Sequence, residues 1–296
     1  MYVNLELYRF FCEAAKTGNI TKAAERLYVS QSAVSQSIMQ LEDKLGCKLF
    51  HRTKRGVQLT SEGDVLFSYV NNAVSLIENA QEKISSMKGL RCGEIKIGAS
   101  DTACGLFLIP FLNEFNAKYP EIRISIINRT TLELIKLLKN GTVDISFVNL
   151  PLDDDPALDI TPVMRFHDCF VAGAKYDYLA DTVIRLRDLQ KYPILMLDKS
   201  SNSRKQMDLF LKGHDLEINP AIELGSLALL AEFAKTGLGI AATIKEDVQK
   251  MLDSRELYEL RFSETLPARD LGLAQIKNLP LSIAADAFKK AVPIWE

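Results

Sequence analysis

Apolar residues recur at helical spacing through the first 45 positions, in three short runs. Asn4 can cap the first run, whose stripe is Leu7, Phe10, Phe11, Ala14 and Ala15. In the second, Thr21 is the expected N-cap and Lys22-Ala23-Ala24-Glu25-Arg26-Leu27 are strong helix formers. Tyr28 and Val29 form a turn that ends at Ser30, a second N-cap. Val34, Ile38, Leu41 and Leu45 then fall four, three and four residues apart, and Gly46 stops the helix. The first helix is expected to pack across the other two. Leu49, Phe50, Val57 and Leu59 next flank a basic tip with Gly56 at its bend, which predicts a short β-hairpin.

A long helix is predicted over 61–88. Its apolar positions are Leu66, Val70, Ala73, Ile77, Ala80, Ile84 and Met87, spaced alternately by four and three. That 3.5-residue repeat is the seam of a two-stranded coil, so these residues are the expected dimer interface. Gly89 and Gly93 mark a boundary, after which strands and helices alternate. Glu94–Gly98, Ile122–Ile127 and Val143–Val148 read as strands, with helices at Leu106–Lys118 and Leu132–Lys139 between them. This β-α-β-α-β order predicts a parallel sheet covered by helices. A second set follows an acidic loop at Asp153-Asp154-Asp155. Its strands are Cys169–Ala172, Pro193–Leu197, Ala221–Leu224 and Leu238–Thr243, with helices at Ser203–Leu211 and Leu227–Thr236. Leu271–Lys277 and Leu281–Val292 add one strand and one helix that could complete either sheet. Two such α/β units enclose a cleft at the carboxyl ends of their strands.

The polar positions sharpen this picture. Gln31, Ser32, Ser35 and Gln36 occupy the outer face of the helix that follows Ser30. An exposed helix that needs only solubility more often carries Glu and Lys there, whereas amides and hydroxyls suit base edges in a major groove. Arg52, Lys54 and Arg55 on the hairpin would lie along a phosphate backbone, adding affinity and little sequence reading.

The net charge of −2 looks wrong for a nucleic-acid binder until it is divided. Residues 1–60 hold nine Lys/Arg and five Asp/Glu, a net +4, while the rest holds 27 against 33, a net −6. A basic head on an acidic body fits a DNA-binding module joined to something else. With 296 residues, 47% hydrophobic and 25% charged, the chain can form two or three ordinary cores. No apolar run reaches membrane-spanning length and no leader pattern opens the chain, so a cytoplasmic protein without membrane attachment is expected. The five cysteines, Cys12, Cys47, Cys92, Cys104 and Cys169, are scattered, and no CxxC or His-rich spacing occurs. Neither a metal site nor a disulfide framework is expected, and no cofactor motif is found.

The N-terminal pattern resembles the LysR-type transcriptional regulator family. The shared residues are Phe10-Phe11, Ala14, Gly18-Asn19-Ile20-Thr21, Ala23-Ala24, Leu27, Val29-Ser30-Gln31-Ser32-Ala33-Val34-Ser35, Ile38, Leu41-Glu42, Leu45-Gly46, Leu49-Phe50, Arg52 and Leu59-Thr60. The body matches more loosely, at Gly141-Thr142-Val143-Asp144-Ile145 and Gly237-Leu238-Gly239-Ile240. The resemblance implies an α/β chain with an all-α winged helix-turn-helix head over 1–60 and a dimerising linker helix over 61–88. The remaining 89–296 would form a periplasmic-binding-protein-like effector domain, with subdomain I at 93–163 plus 268–296 and subdomain II at 164–267. It also implies homodimers, usually paired into tetramers, on double-stranded DNA with an inverted-repeat operator. Three positions depart from the family pattern. Ser32 stands where Pro is common, Gln36 where Arg is common, and Thr243 where Pro usually follows Gly239-Ile240-Ala241-Ala242. An amide at 36 favours adenine over a phosphate or guanine contact, so relatives' operators do not carry over.

By the same resemblance, an effector would sit between the subdomains. The matching loops are Ser100-Asp101-Thr102, Thr130-Thr131 and Ser200-Ser201-Asn202-Ser203, with Ser226 opening another helix. Hydroxyls and unpaired N–H groups at helix starts bind anions, although the same residues serve as ordinary N-caps. Asp101 opposes an anion and instead suits an ammonium group, with Arg129 or Arg204 as a carboxylate partner. Cys104 is either a redox-sensing thiol or a buried apolar residue. His51, His167 and His214 are isolated and form no catalytic set. The sequence therefore reads as a DNA-binding transcription regulator controlled by a small anion, carboxylate or amino-acid-like metabolite. The alternative is a cytoplasmic small-molecule-binding protein or enzyme whose head only tethers it to DNA.

Overall fold

Two cap residues set the first helices. In the computed structural model, which describes residues 4–53, 56–87 and 93–293, Asn4 Oδ1 accepts from Glu6 N at 3.1 Å and opens helix Leu5–Thr17. Helix Ile20–Leu27 is capped by Asn19, whose Oδ1 accepts from Thr21 N at 2.9 Å and Lys22 N at 3.1 Å. Thr21 is therefore not the cap. It lies inside the first turn, because Asn19 already holds the extended backbone that a cap requires. Ser30 caps helix Gln31–Leu45 through Ala33 N at 3.2 Å, as the sequence predicts, and Gly46 ends it at φ 74°.

The chain divides into two compact units, Met1–Leu90 with Lys139–Thr142, and Arg91–Leu138 with Val143–Glu296. In the first, Leu7, Phe11, Ala14, Ala23, Val34, Ile38 and Leu41 form the predicted three-helix core. Strands Phe50–Thr53 and Gly56–Leu59 pair antiparallel as the hairpin. Gly56 lies at φ 136°, and a Cβ there would stand 2.2 Å from Gly18 O, so the hairpin approaches the helix pair only because this residue is glycine. Val57 N donates to the same carbonyl at 2.9 Å. Glu42 is buried and accepts from Leu49 N at 2.9 Å and Lys48 Nζ at 2.6 Å. Burial alone would raise its carboxyl, but these donors outweigh it and hold the group below the usual range. Lys54 and Arg55, expected on phosphates, lie outside the described residues.

Helix Ser61–Met87 matches the predicted span, but its repeat divides between two tasks. Val70 is buried at 8% exposure, and Leu66, Phe67 and Val74 join it in the core of the head. Leu66 and Val70 therefore do not belong to a free seam, because the first turns of the helix cover the protomer's own helices. Ala73, Ile77, Ala80 and Ile84 face solvent, together with Val65, Tyr69 and Leu76. The side chain of Met87 lies outside the described residues.

The second unit is built on one continuous sheet. Its order is Ile122–Asn128, Gly93–Ala99, Ile145–Asn149, Ala268–Ile276, Leu158–Ala172, Ile240–Ile244, Ile194–Leu197 and Ile222–Leu224. The first three strands are parallel, as predicted. The last long strand, Ala268–Ile276, completes the first set by pairing antiparallel with Ile145–Asn149, Leu271 opposite Asn149. Leu158–Ala172 is 15 residues long and starts well before the expected Cys169. It pairs with Ala268–Ile276 up to His167, then with Ile240–Ile244 from Asp168, and so joins the two sets. Its register shifts near Pro162, opposite Gly272, where a missing N–H is tolerated.

Helices cover the faces. Phe111, Phe115 and Phe288 pack edge-to-face between helices Ile109–Lys118 and Ile283–Ala291. The first helical stretch begins at Asp101 rather than Leu106, and is wound as a π turn over Cys104–Leu108. Helix Lys245–Asp253 has no counterpart among the elements predicted from the hydrophobic pattern. Among the described residues, no helix is long and apolar enough to cross a membrane.

Candidate functional site

Two surfaces carry the candidate chemistry, one on each unit. On the head, Thr21, Ser30, Gln31, Ser32 and Gln36 are exposed and Ser35 is half-buried. The Ser30 hydroxyl already serves as a cap and lies 2.9 Å from Ser32 Oγ, so part of its bonding capacity is internal. Arg52 Nη2 donates to Ser35 Oγ at 3.2 Å, which sets the hairpin cation beside the outer face of helix Gln31–Leu45.

On the second unit, a cleft of about 300 Å³ opens where several helix starts converge. Ser100, Asp101, Thr102, Thr131, Asn202 and Ser203 line it, together with Asn128, Arg129, Glu133, Asn149 and Asp198. Ser226 is not among the lining residues. It caps helix Leu227–Lys235 through Leu229 N, while its neighbours Gly225 and Leu227 reach the cleft.

Asn149, absent from the sequence-level candidates, organises the floor. It ends the buried strand Ile145–Asn149 and is itself buried. Its backbone N donates to Thr131 Oγ1 at 3.3 Å, and its Nδ2 to Thr102 Oγ1 at 3.4 Å and Ser203 Oγ at 3.2 Å. Its carbonyl accepts from Asn202 Nδ2 at 2.9 Å, and its Oδ1 accepts from Ser100 Oγ at 3.4 Å. A hydroxyl has one proton and two lone pairs. Since Thr102, Thr131 and Ser203 each accept from Asn149, their own O–H groups are left to donate. The result is three hydroxyls free to donate, two held by the side-chain amide and one by the backbone N–H of a single residue. Helix Asn202–Gly213 adds an N-terminus whose cap, Ser201, makes no side-chain cap bond.

The mouth has the opposite character. Glu133 accepts from Thr130 Oγ1 at 2.7 Å and Thr130 N at 3.0 Å, bonds that hold its carboxyl below the usual range. Asp198 is lowered likewise by the hydroxyl and N–H of Ser200. Asp101 is exposed beside them. Arg129 also lines the cleft, and its Nη1 donates to Asn128 O at 2.7 Å. Arg204 does not line the cleft. It is buried at 3% exposure against Asp208, Glu223 and Leu197 O, and so is not a ligand's carboxylate partner. Cys104 is half-buried and outside the lining, and desolvation raises its thiol despite a bond from Asn128. Of the two readings the sequence leaves open, this environment favours the apolar one. No group of three or more metal-binding side chains occurs among the described residues.

Sequence profiles match both units. The profile described as "Bacterial regulatory helix-turn-helix protein, lysR family" matches residues 5–64, and that of the "LysR substrate binding domain" matches 88–293. A probable RuBisCO transcriptional regulator of Guillardia theta is 29% identical, over 97% of this chain and 94% of its own length. Full-length OxyR from Pseudomonas aeruginosa, solved as a variant, superposes with a TM-score of 0.80 at 21% identity, over 99% of this chain and 95% of that one. The regulatory domain of Synechocystis CcmR, solved in complex with 2-PG, covers 68% of this chain and 95% of its own, with TM-score 0.62 and 21% identity.

Proposed function

This chain belongs to the LysR family of bacterial transcription regulators, and on that premise we propose that its effector is a small oxyanion held by the Asn149-directed hydroxyls. The protein is a sequence-specific DNA-binding transcription regulator under small-molecule control, not an enzyme. The single observation that carries the effector class is the set of three hydroxyls, Thr102, Thr131 and Ser203, each accepting from Asn149 and so left to donate. Donors on the floor with Asp101, Glu133 and Asp198 at the mouth suit an anion whose far end carries amino or hydroxyl groups. CcmR's complex with 2-PG and the complex of the QuiR effector-binding domain with shikimate support that class.

In this reading, Gln31, Ser32, Ser35 and Gln36 face base edges, and Thr21, Ser30 and Arg52 face phosphates. The exposed stripe Ala73, Ile77, Ala80 and Ile84 pairs two protomers, so that two heads meet an inverted repeat. Dimers then pair into tetramers, in the cytoplasm. A small molecule that closes the cleft shifts the population of arrangements on DNA. Thermal unfolding of the full chain with phosphate, sulfate, acetate, shikimate and amino acids tests the effector class. At least one oxyanion raises the midpoint in a saturable way. Saturable stabilisation by uncharged or cationic compounds alone overturns the assignment.

A further inference from the structure

The Ser203 hydroxyl has a second donor besides Asn149. Arg269 Nη1 reaches it at 3.1 Å, and both side chains are buried. The rest of the guanidinium is engaged elsewhere. Nε and Nη2 donate to the two carboxylate oxygens of Asp168 at 2.8 and 2.5 Å, and the group lies 4.8 Å over the Phe166 ring.

The location of this pair matters. Asp168 is the first residue of its strand to pair with Ile240–Ile244, and His167, immediately before it, is still paired with Ala268. The Asp168–Arg269 pair therefore sits at the point where the long strand changes partner between the two halves of the sheet. A void of about 20 Å³ bordered by Asp168, Ser203, Thr243 and Arg269 lies beside it. Thr243, at the position that departs from the family pattern, also leaves its buried Oγ1 without a partner at this void.

Building on the effector reading above, we propose that Arg269 is a positioning residue for the effector. It fixes the Ser203 hydroxyl as a donor into the cleft and ties that hydroxyl to the strand crossover. With donors from Asn149 and Arg269 occupying both lone pairs, Ser203 can only donate. An anion that accepts this proton draws on a hydroxyl polarised by a buried cation, and any displacement of Ser203 is felt at Asp168. A neutral acceptor gains less from the same hydroxyl, so Arg269 contributes to anion selectivity without touching the ligand.

A double-mutant cycle on the full chain tests this, using the oxyanion from the panel that most stabilises the wild type. Ser203→Ala removes the donor. Arg269→Lys keeps a cation beside Asp168 but loses the fork that reaches Ser203. Each single variant is expected to weaken anion binding about tenfold. The double variant is expected to be no weaker than either, with unliganded secondary structure unchanged in all three. Additive losses, or an Arg269→Lys chain that binds as the wild type does, overturn the positioning role. If Arg269→Lys fails to fold, Ser203→Cys reports instead. The relay then predicts a cleft thiol of lowered pKa, read by its alkylation rate against pH, and an ordinary thiol profile overturns it. A wild type stabilised by no oxyanion overturns the effector reading and this proposal together. A stabilised wild type with an additive cycle overturns this proposal alone.

Discussion

Arg52 Nη2 on the hairpin donates to Ser35 Oγ on helix Gln31–Leu45 at 3.2 Å, so the cation proposed to grip phosphate and the hydroxyl proposed to face bases lie side by side. The two residue types have different expected effects. Arg52→Ala weakens binding to specific and random duplexes alike and reduces the salt slope by about one. Gln31→Ala costs about 1–3 kcal/mol on the preferred sequence and little on random DNA. Titrations at several salt concentrations distinguish them, and equal losses on both duplexes for Gln31→Ala count against base reading.

The long helix supplies a second contrast. Ile77 is 44% exposed in the protomer and Val70 only 8%. Ile77→Asp is expected to halve the particle mass by light scattering while leaving the melting of the head unchanged. Val70→Ala removes packing from the head's own core and costs about 2 kcal/mol without altering assembly. An unchanged mass for Ile77→Asp rules out the seam.

Asn149→Asp is nearly isosteric but turns a donor into an acceptor. Ionised, it cannot donate to Thr102 or Ser203, and its charge repels an anion at the cleft floor. Oxyanion stabilisation is expected to disappear while the sheet is retained, as read by thermal shift and circular dichroism. A variant that still responds like the wild type removes Asn149 from the site.

Cys12 gives a pH dependence with a defined sign. Burial pushes its thiol up to about 11 from the ordinary 9.0. The unfolded chain loses this proton first, so the contribution is full below pH 9.0 and fades as pH rises towards 11. About 2 kcal/mol of head stability is expected to be lost across that window. Denaturant titrations at pH 8 and pH 11 measure it, with Cys12→Ser as the comparison in which the slope is reduced.

The head was legible because its signals are local. Caps, helical spacing and terminal glycines lie within a few residues of what they specify. Even so, Asn19 and Thr21 are both good caps, and only the extended backbone at Asn19 decides between them. The heptad at 66–87 was legible as a helix but not as two surfaces, because spacing does not reveal that Val70 meets Phe11's core. The cleft loops were legible as helix starts. Asn149 was not, since its hydroxyl partners lie 18, 47, 49 and 54 residues away in the chain. The strand from Leu158 was hidden by Pro162, which lies opposite Gly272 at a register shift in the ladder.

The most direct test is a nuclease footprint of the full-length protein on the DNA upstream of its own coding region, with and without the oxyanion that stabilises it most. Protection of two spaced half-sites whose extent changes with the anion, and does not change for Asn149→Asp, is the expected result. A footprint identical with and without every stabilising oxyanion, or no sequence-specific protection at all, would contradict the account.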